Sequence, residues 1–237
     1  MPELRHVAGE YVRWGINYKY GDKVFGERLT GVYPCFEDIR SHYPEAGGRF
    51  LNNIDIEKKR RVIFLGGVLK EKLFGDEDPI GKQIQLNSVP FTVIGVMKDK
   101  IQMVMYNGPD ENMGAIPATT FSALYGYRYF NHIVYQPHDI DNMKAVENRL
   151  YEIMGAKHKF DPTDEQTLSI WDVVASVIEM ANIMLGIQIL VGLLGGMPLL
   201  IAGVGVANIM YGSIRERTRE IGVKMDIGAW KSYILIE

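Results

Sequence analysis

Several chemistries are excluded by what this 237-residue chain lacks. It has a single cysteine, Cys35, so no disulfide can form within it and no Cys-x-x-Cys redox or zinc motif is possible. Its five histidines, His6, His42, His132, His138 and His158, have no metal-ligand spacing, and neither His-Glu-x-x-His nor Gly-x-Ser-x-Gly occurs. Acidic pairs such as Glu37-Asp38 and Asp164-Glu165 read as solvated faces or helix caps rather than paired acid and base. No catalytic, cofactor-binding or metal-binding set emerges, and the expectation is a protein that is not an enzyme. Net charge is only −3, with no basic excess of the kind nucleic acid selects. The N-terminus has no apolar stretch resembling a signal peptide.

The most informative absence is charge. From Met180 to Ile214 no Asp, Glu, Lys or Arg occurs, and Asn182, Gln188, Asn208, Tyr211 and Ser213 supply the side-chain polarity. A bilayer core of about 30 Å needs roughly 20 apolar helical residues, and a soluble helix keeps one face for water. A transmembrane helix over 179–214, with the end of a stalk, is therefore expected behind a large soluble domain, 1–178. Arg215, Arg217, Arg219, Lys224 and Lys231 follow closely, which by the positive-inside rule places the tail, 215–237, in the cytoplasm and the large domain outside. An exported domain without an export signal suggests a fragment whose earlier transmembrane helix is missing.

Within the domain, hydrophobic patterning predicts strands around 11–18, 61–66, 83–86, 91–96 and 133–135. Asn87-Ser88-Val89-Pro90 reads as a hairpin connection. A short helix over 68–73 should stop at Gly75. A second should start at an Asp141 cap and end at Gly155. Strands and helices mix without a βαβ rhythm, so the fold class is α+β, with two lobes and 47–125 as an inserted one. Ile170, Val173, Val174, Val177 and Ile178 form an apolar stripe, so one continuous helix is expected from about Thr167 into the span.

Two glycine motifs fail on inspection. Gly75-Asp76-Glu77-Asp78-Pro79-Ile80-Gly81-Lys82 has five residues between its glycines where a phosphate loop has four, and its three acids would repel phosphate. Gly203-Val204-Gly205 lies inside the apolar segment, not after a strand as a dinucleotide fingerprint requires. Gly192 with Gly196, and Gly203 with Ala207, instead have the four-residue spacing that lets another helix approach in lipid. Pro198 should kink the span, because it cannot donate its backbone hydrogen bond.

The stretch Ala202-Gly203-Val204-Gly205-Val206-Ala207-Asn208-Ile209-Met210, then Arg215-Glu216-Arg217-Thr218-Arg219-Glu220-Ile221-Gly222-Val223-Lys224 and Gly228-Ala229, resembles the permease of MacB/FtsX-type ABC transporters. Leu73-Phe74-Gly75, Asp78-Pro79-Ile80-Gly81-Lys82 and Pro90-Phe91-Thr92-Val93-Ile94-Gly95-Val96 resemble that family's extracytoplasmic core domain, in the same order along the chain. The resemblance implies a second transmembrane helix running into a cytoplasmic coupling helix. It implies docking of an ABC ATPase by Arg215, Glu216, Arg217, Thr218, Arg219, Glu220, Gly222 and Gly228, and packing and bending by Gly192, Gly196, Pro198, Gly203 and Ala207. ATP would be bound by that partner. A second permease copy, the bacterial inner membrane, a periplasmic adaptor and an outer-membrane channel are the other implied partners. Export or efflux is the implied role; the alternative is an FtsX-like signalling subunit regulating a cell-wall hydrolase or a sensor kinase.

Overall fold

A computed structural model describes residues 1–102, 105–164 and 166–228. Glu165, Ala229 and Lys231, used in the sequence reading, lie outside the described residues. Met1–Val173 forms one compact unit, and the chain from Val174 onward forms a second.

The first unit is built on β1 (Leu4–Tyr20), a strand of 17 residues. Gly21, at φ +57°, lies in the two-residue turn that returns the chain as β2 (Lys23–Val32). Positive φ at the first loop residue suits the tight hairpin turns that match strand twist. After α1 (Phe36–Arg40) and α2 (Asn53–Glu57) come β3 (Val62–Leu65), α3 (Gly67–Phe74), β4 (Gln83–Leu86) and β5 (Val89–Val96). A single 3₁₀ turn (Asp110–Asn112) precedes β6 (Met113–Pro117), α4 (Ala118–Tyr125), β7 (His132–Pro137) and α5 (Met143–His158). The stretch 47–125 supplies α2 to α4 and β3 to β6, while β1, β2 and β7 flank it.

Strand pairings close on themselves. β1 pairs with β2, β2 with β6, β6 with β3, β3 with β5, β5 with β4, and β4 returns to β1 at Tyr18↔Leu86 and Lys19↔Gln85. A ring of hydrogen-bonded strands leaves no open edge within it. β7 stands outside this circuit and pairs only with the first part of β1, from Leu4↔Pro137 to Glu10↔His132. One strand thus belongs to a six-stranded ring and to a two-stranded ribbon.

Side chains alternate between two cores, as the pleat requires. Ile63 and Leu65 join Tyr18, Leu29, Ile84, Phe91 and Ile116 in the first core, to which all six ring strands contribute. Phe64, Met113 and Ala115 point the other way, to Phe36, Phe50 and Met97. Tyr18 is fully buried and donates its hydroxyl to the Arg28 carbonyl at 2.7 Å. Its phenol lies where a Cβ on Gly114 would stand, 2.7 Å from its oxygen, so a glycine is what lets this aromatic cross the core.

The strands and the first helix fall where patterning places them, and the mixed architecture is α+β. Asn87 and Ser88, both at positive φ, make the β4–β5 turn alone, and Val89 and Pro90 are already in β5. The α5 cap is Asn142, not Asp141, because Ile140–Asn142 forms a 3₁₀ turn that carries the start one residue on. The same helix passes Gly155 and stops at Lys159, in the left-handed region at φ 62°. Gly155 is buried against Phe160 and Pro162, so packing rather than chain reversal explains it.

Gly66 shows how tightly these elements meet. It precedes α3 at an ordinary φ of −68°, yet a Cβ there would lie 2.3 Å from the Glu111 carbonyl oxygen, a backbone atom that cannot swing aside. Gly66→Ala is expected to destabilise the chain by about 1–3 kcal/mol through this overlap. Denaturant unfolding of the detergent-solubilised chain, followed by tryptophan fluorescence, measures it, and an unchanged midpoint would show that the 3₁₀ turn yields freely.

Candidate functional site

The described part of the second unit is almost entirely α6 (Val173–Asp226), one helix of 54 residues. At 1.5 Å per residue it is about 80 Å long, well over twice a bilayer core. It starts at Val173 rather than Thr167, and none of its residues is buried. Leu199 and Ile209 are each 75% exposed. Burying one such side chain is worth about 1.5–3 kcal/mol, so this surface in water would be heavily penalised. The helix is long and apolar enough to cross a membrane.

Gly192, Gly196, Gly203 and Ala207 all lie on α6, and a Cβ at each of the three glycines would meet nothing within 4 Å. Pro198 is inside the helix, which is unbroken through it. Proline donates no backbone hydrogen bond, so the Leu194 carbonyl loses its usual partner there. Arg215, Glu216, Arg217, Thr218, Arg219 and Glu220 are exposed residues of the same helix. Gly222 does not interrupt it: in a run this long, one glycine costs only about 1 kcal/mol relative to alanine. Helical geometry ends at Asp226, and Gly228 follows at φ +94°.

Because the charged end is a regular helix, its residues cannot share one face. Arg217 lines a shallow groove with Met210, Ile214, Ile221 and Lys224, whereas Arg219 is about 200° round the axis from it. The Thr218 hydroxyl donates to the Ile214 carbonyl at 2.9 Å, within the helix.

Sequence reading missed the densest set of ionisable groups, which lies in the folded domain. Asp110, 2% exposed, accepts from Arg28 (3.1 Å), Arg40 (2.9 Å) and Lys100 (2.8 Å), and His42 Nε2 is 3.1 Å away. A carboxylate only accepts, so His42 carries its proton on Nε2 and leaves Nδ1 bare. Burial alone would raise the Asp110 pKa, but the His42 hydrogen bond and the Arg40 and Lys100 cations outweigh it and hold the carboxyl well below the usual range. Burial pushes His42 down to about 4, against its bond to Asp110. Arg40 stacks over Tyr106 at 4.7 Å, and Arg28 lies 5.7 Å from the Trp14 ring. The contributors come from positions 28, 40, 42, 100 and 110, and no spacing in the sequence connects them. The one local signal is a charged residue next to the apolar inner end of a strand, as at Arg28 before Leu29.

A closed mixed sheet with a ribbon, followed by a long unburied apolar helix, defines an α+β domain carried on a membrane anchor. Residues 1–153 match the family described as MacB-like periplasmic core domain, and the chain belongs to that family. It is 30% identical to the macrolide export ATP-binding/permease protein MacB of Rhodospirillum rubrum, over 98% of this chain and 35% of that protein. With the protein of the same name from Azoarcus sp. it shares 32% identity over 83% of this chain and 29% of the relative. The chain thus spans about a third of the length of these curated relatives. The crystal structure of the periplasmic region of MacB from Actinobacillus actinomycetemcomitans has the same fold, with a TM-score of 0.57 at 23% identity, covering 67% of this chain and 70% of that one. The extracellular domain of the noncanonic ABC-type transporter YknZ from Gram-positive bacteria also matches with a TM-score of 0.57, at 19% identity over 68% and 79% of the two chains.

Two outcomes test the buried cluster. Asp110→Asn leaves buried cations without their counter-charge and should cost about 3–5 kcal/mol in denaturant unfolding. The folded His42 pKa lies below its ordinary value of 6.5, so its contribution is present above 6.5 and lost as pH falls through about 4. Relative to the wild type, His42→Gln should therefore lose less stability between pH 6.5 and 4, by on the order of 3 kcal/mol. Parallel pH profiles for the two proteins would show that the imidazole is not buried neutral.

Proposed function

We propose that this chain is part of the permease of a MacB/FtsX-type ABC transporter and couples ATP hydrolysis by a partner ATPase to movement of an extracytoplasmic domain during export. The supporting observation is the continuity of α6, whose apolar length and charged end form one regular helix without an interruption at Gly222. A displacement applied at Arg215–Glu220 is carried along such a rod rather than absorbed in a loop. The names of the Rhodospirillum rubrum and Azoarcus proteins, which join an ATP-binding part to a permease, favour the same reading. In this reading the basic end is cytoplasmic, as the positive-inside rule expects. A second permease copy covers the small-residue face of the span, and an adaptor and an outer-membrane channel complete the path.

The helical geometry makes the docking hypothesis specific. A partner that seats on Ile214, Arg217 and Ile221 meets Arg217 directly and leaves Arg219 on the far side. Reversing an interfacial charge turns attraction into repulsion worth several kcal/mol. In the full-length protein co-expressed with its ATPase, Arg217→Glu should reduce co-purification at least tenfold, with the domain still on its original side of the membrane. Arg219→Glu should change it little. Equal retention of the ATPase by both variants would reduce the charged end to a topological anchor.

A further inference from the structure

Glu10 is the last residue of β1 to pair with β7, opposite His132, and Tyr11 is the first to pair with β2, opposite Gly31. The strand changes partners across this one peptide bond. The entry to β7 is tied to the same point: the Asn131 N–H donates to the Glu10 carbonyl at 2.9 Å, and the Val12 N–H donates to Asn131 Oδ1 at 2.9 Å. Glu10 therefore sits at the joint between the ribbon and the strand ring.

The residue is 1% exposed, and Oε2 has no hydrogen-bond partner among the described residues. Charged and titratable groups face it from each neighbouring element: Arg28 from β2, Arg40 from α1, Asp110 from the 3₁₀ turn and His132 from β7. Both arginines are already committed to Asp110. The His132 Nδ1 stands 3.9 Å from Oε2, beyond hydrogen-bond reach, and is 3.4 Å from the Asn107 amide nitrogen. Tyr106 packs edge-on against the His132 ring at 5.7 Å.

A buried carboxyl that leaves one oxygen without a partner is tolerated when neutral and costly when charged. Burial lifts Glu10 to about 7, over the opposing pull of Arg28 and Arg40, and Asp110 adds to the rise. We propose that Glu10 is a proton-operated latch between the β1–β7 ribbon and the strand ring, closed when its carboxyl is neutral and loosened when it ionises. An ionised Glu10 has to reach water or draw an arginine from Asp110, and either movement opens the joint.

The sign follows from the raised value. The stabilisation is fully present below the ordinary carboxyl value of 4.5 and is lost as pH rises through about 7. His42 and His132 act oppositely. Burial lowers both, so each favours the closed form above its ordinary value and opposes it on acidification. Removing Glu10 alone isolates its share.

Amide hydrogen exchange of the full chain in lipid nanodiscs, corrected for intrinsic rate and read between pH 5.5 and 8, tests the latch. The quantity is exchange over 131–137 relative to 62–65 in the ring strand β3. In the wild type this ratio should rise roughly tenfold across the range. In Glu10→Gln, a neutral isostere, it should not rise, staying level or falling as His42 and His132 lose their protons. A flat wild-type ratio overturns the proposal whatever the variant does, and so does a Glu10→Gln profile that rises like the wild type's.

Discussion

The folded domain depends on one carboxylate. Asp110 is nearly the whole counter-charge for Arg28, Arg40 and Lys100, which come from β2, α1 and the loop after β5. Low local dielectric makes each of these bonds stronger than in water and makes an unpaired member expensive. A site of this kind accepts few rearrangements, since moving one element strands the charge on another. The Tyr106 and Trp14 rings beside Arg40 and Arg28 limit the access of water. A smaller version occurs at Asp55, fully buried, which accepts from Arg49 and closes a reciprocal capping box with Asn52 at the start of α2.

Around that hub the strand ring supplies rigidity and the ribbon supplies a joint. The ring has no free edge and a core fed by all six strands, whereas the ribbon depends on one side of β1 and on β7. Gly15, at φ +70°, lies within the register shift between Arg13 and Ile16, where β1 accommodates an irregularity in its pairing with β2.

The long helix follows different physics. Its surface is not buried by the chain, so its stability must come from intrahelical hydrogen bonds and from a medium that solvates leucine and isoleucine. Glycines that would weaken a soluble helix are tolerated there and leave smooth surface for another helix. The charged end inherits the helical register, so which of its residues can face a common partner follows from geometry and not from sequence proximity.

Much of this was legible from residue order. The charge-free run of 35 residues specified an apolar helix, because no water-exposed helix can omit charge for so long. A short apolar run placed β3, the segments on either side of a turn signal placed β4 and β5, and the acids around Asp78 excluded a phosphate loop. Local rules failed where local alternatives are nearly equal in energy: at the Asn142 cap, one residue from the expected one, and at Gly155, where a single glycine does not end a helix free to run on to Lys159. The strand ring, the partner change at Glu10 and the Asp110 cluster were decided by tertiary structure alone. Their residues are separated by as much as the 133 positions between paired Leu4 and Pro137, and charges so distant acquire meaning only when burial removes the water between them.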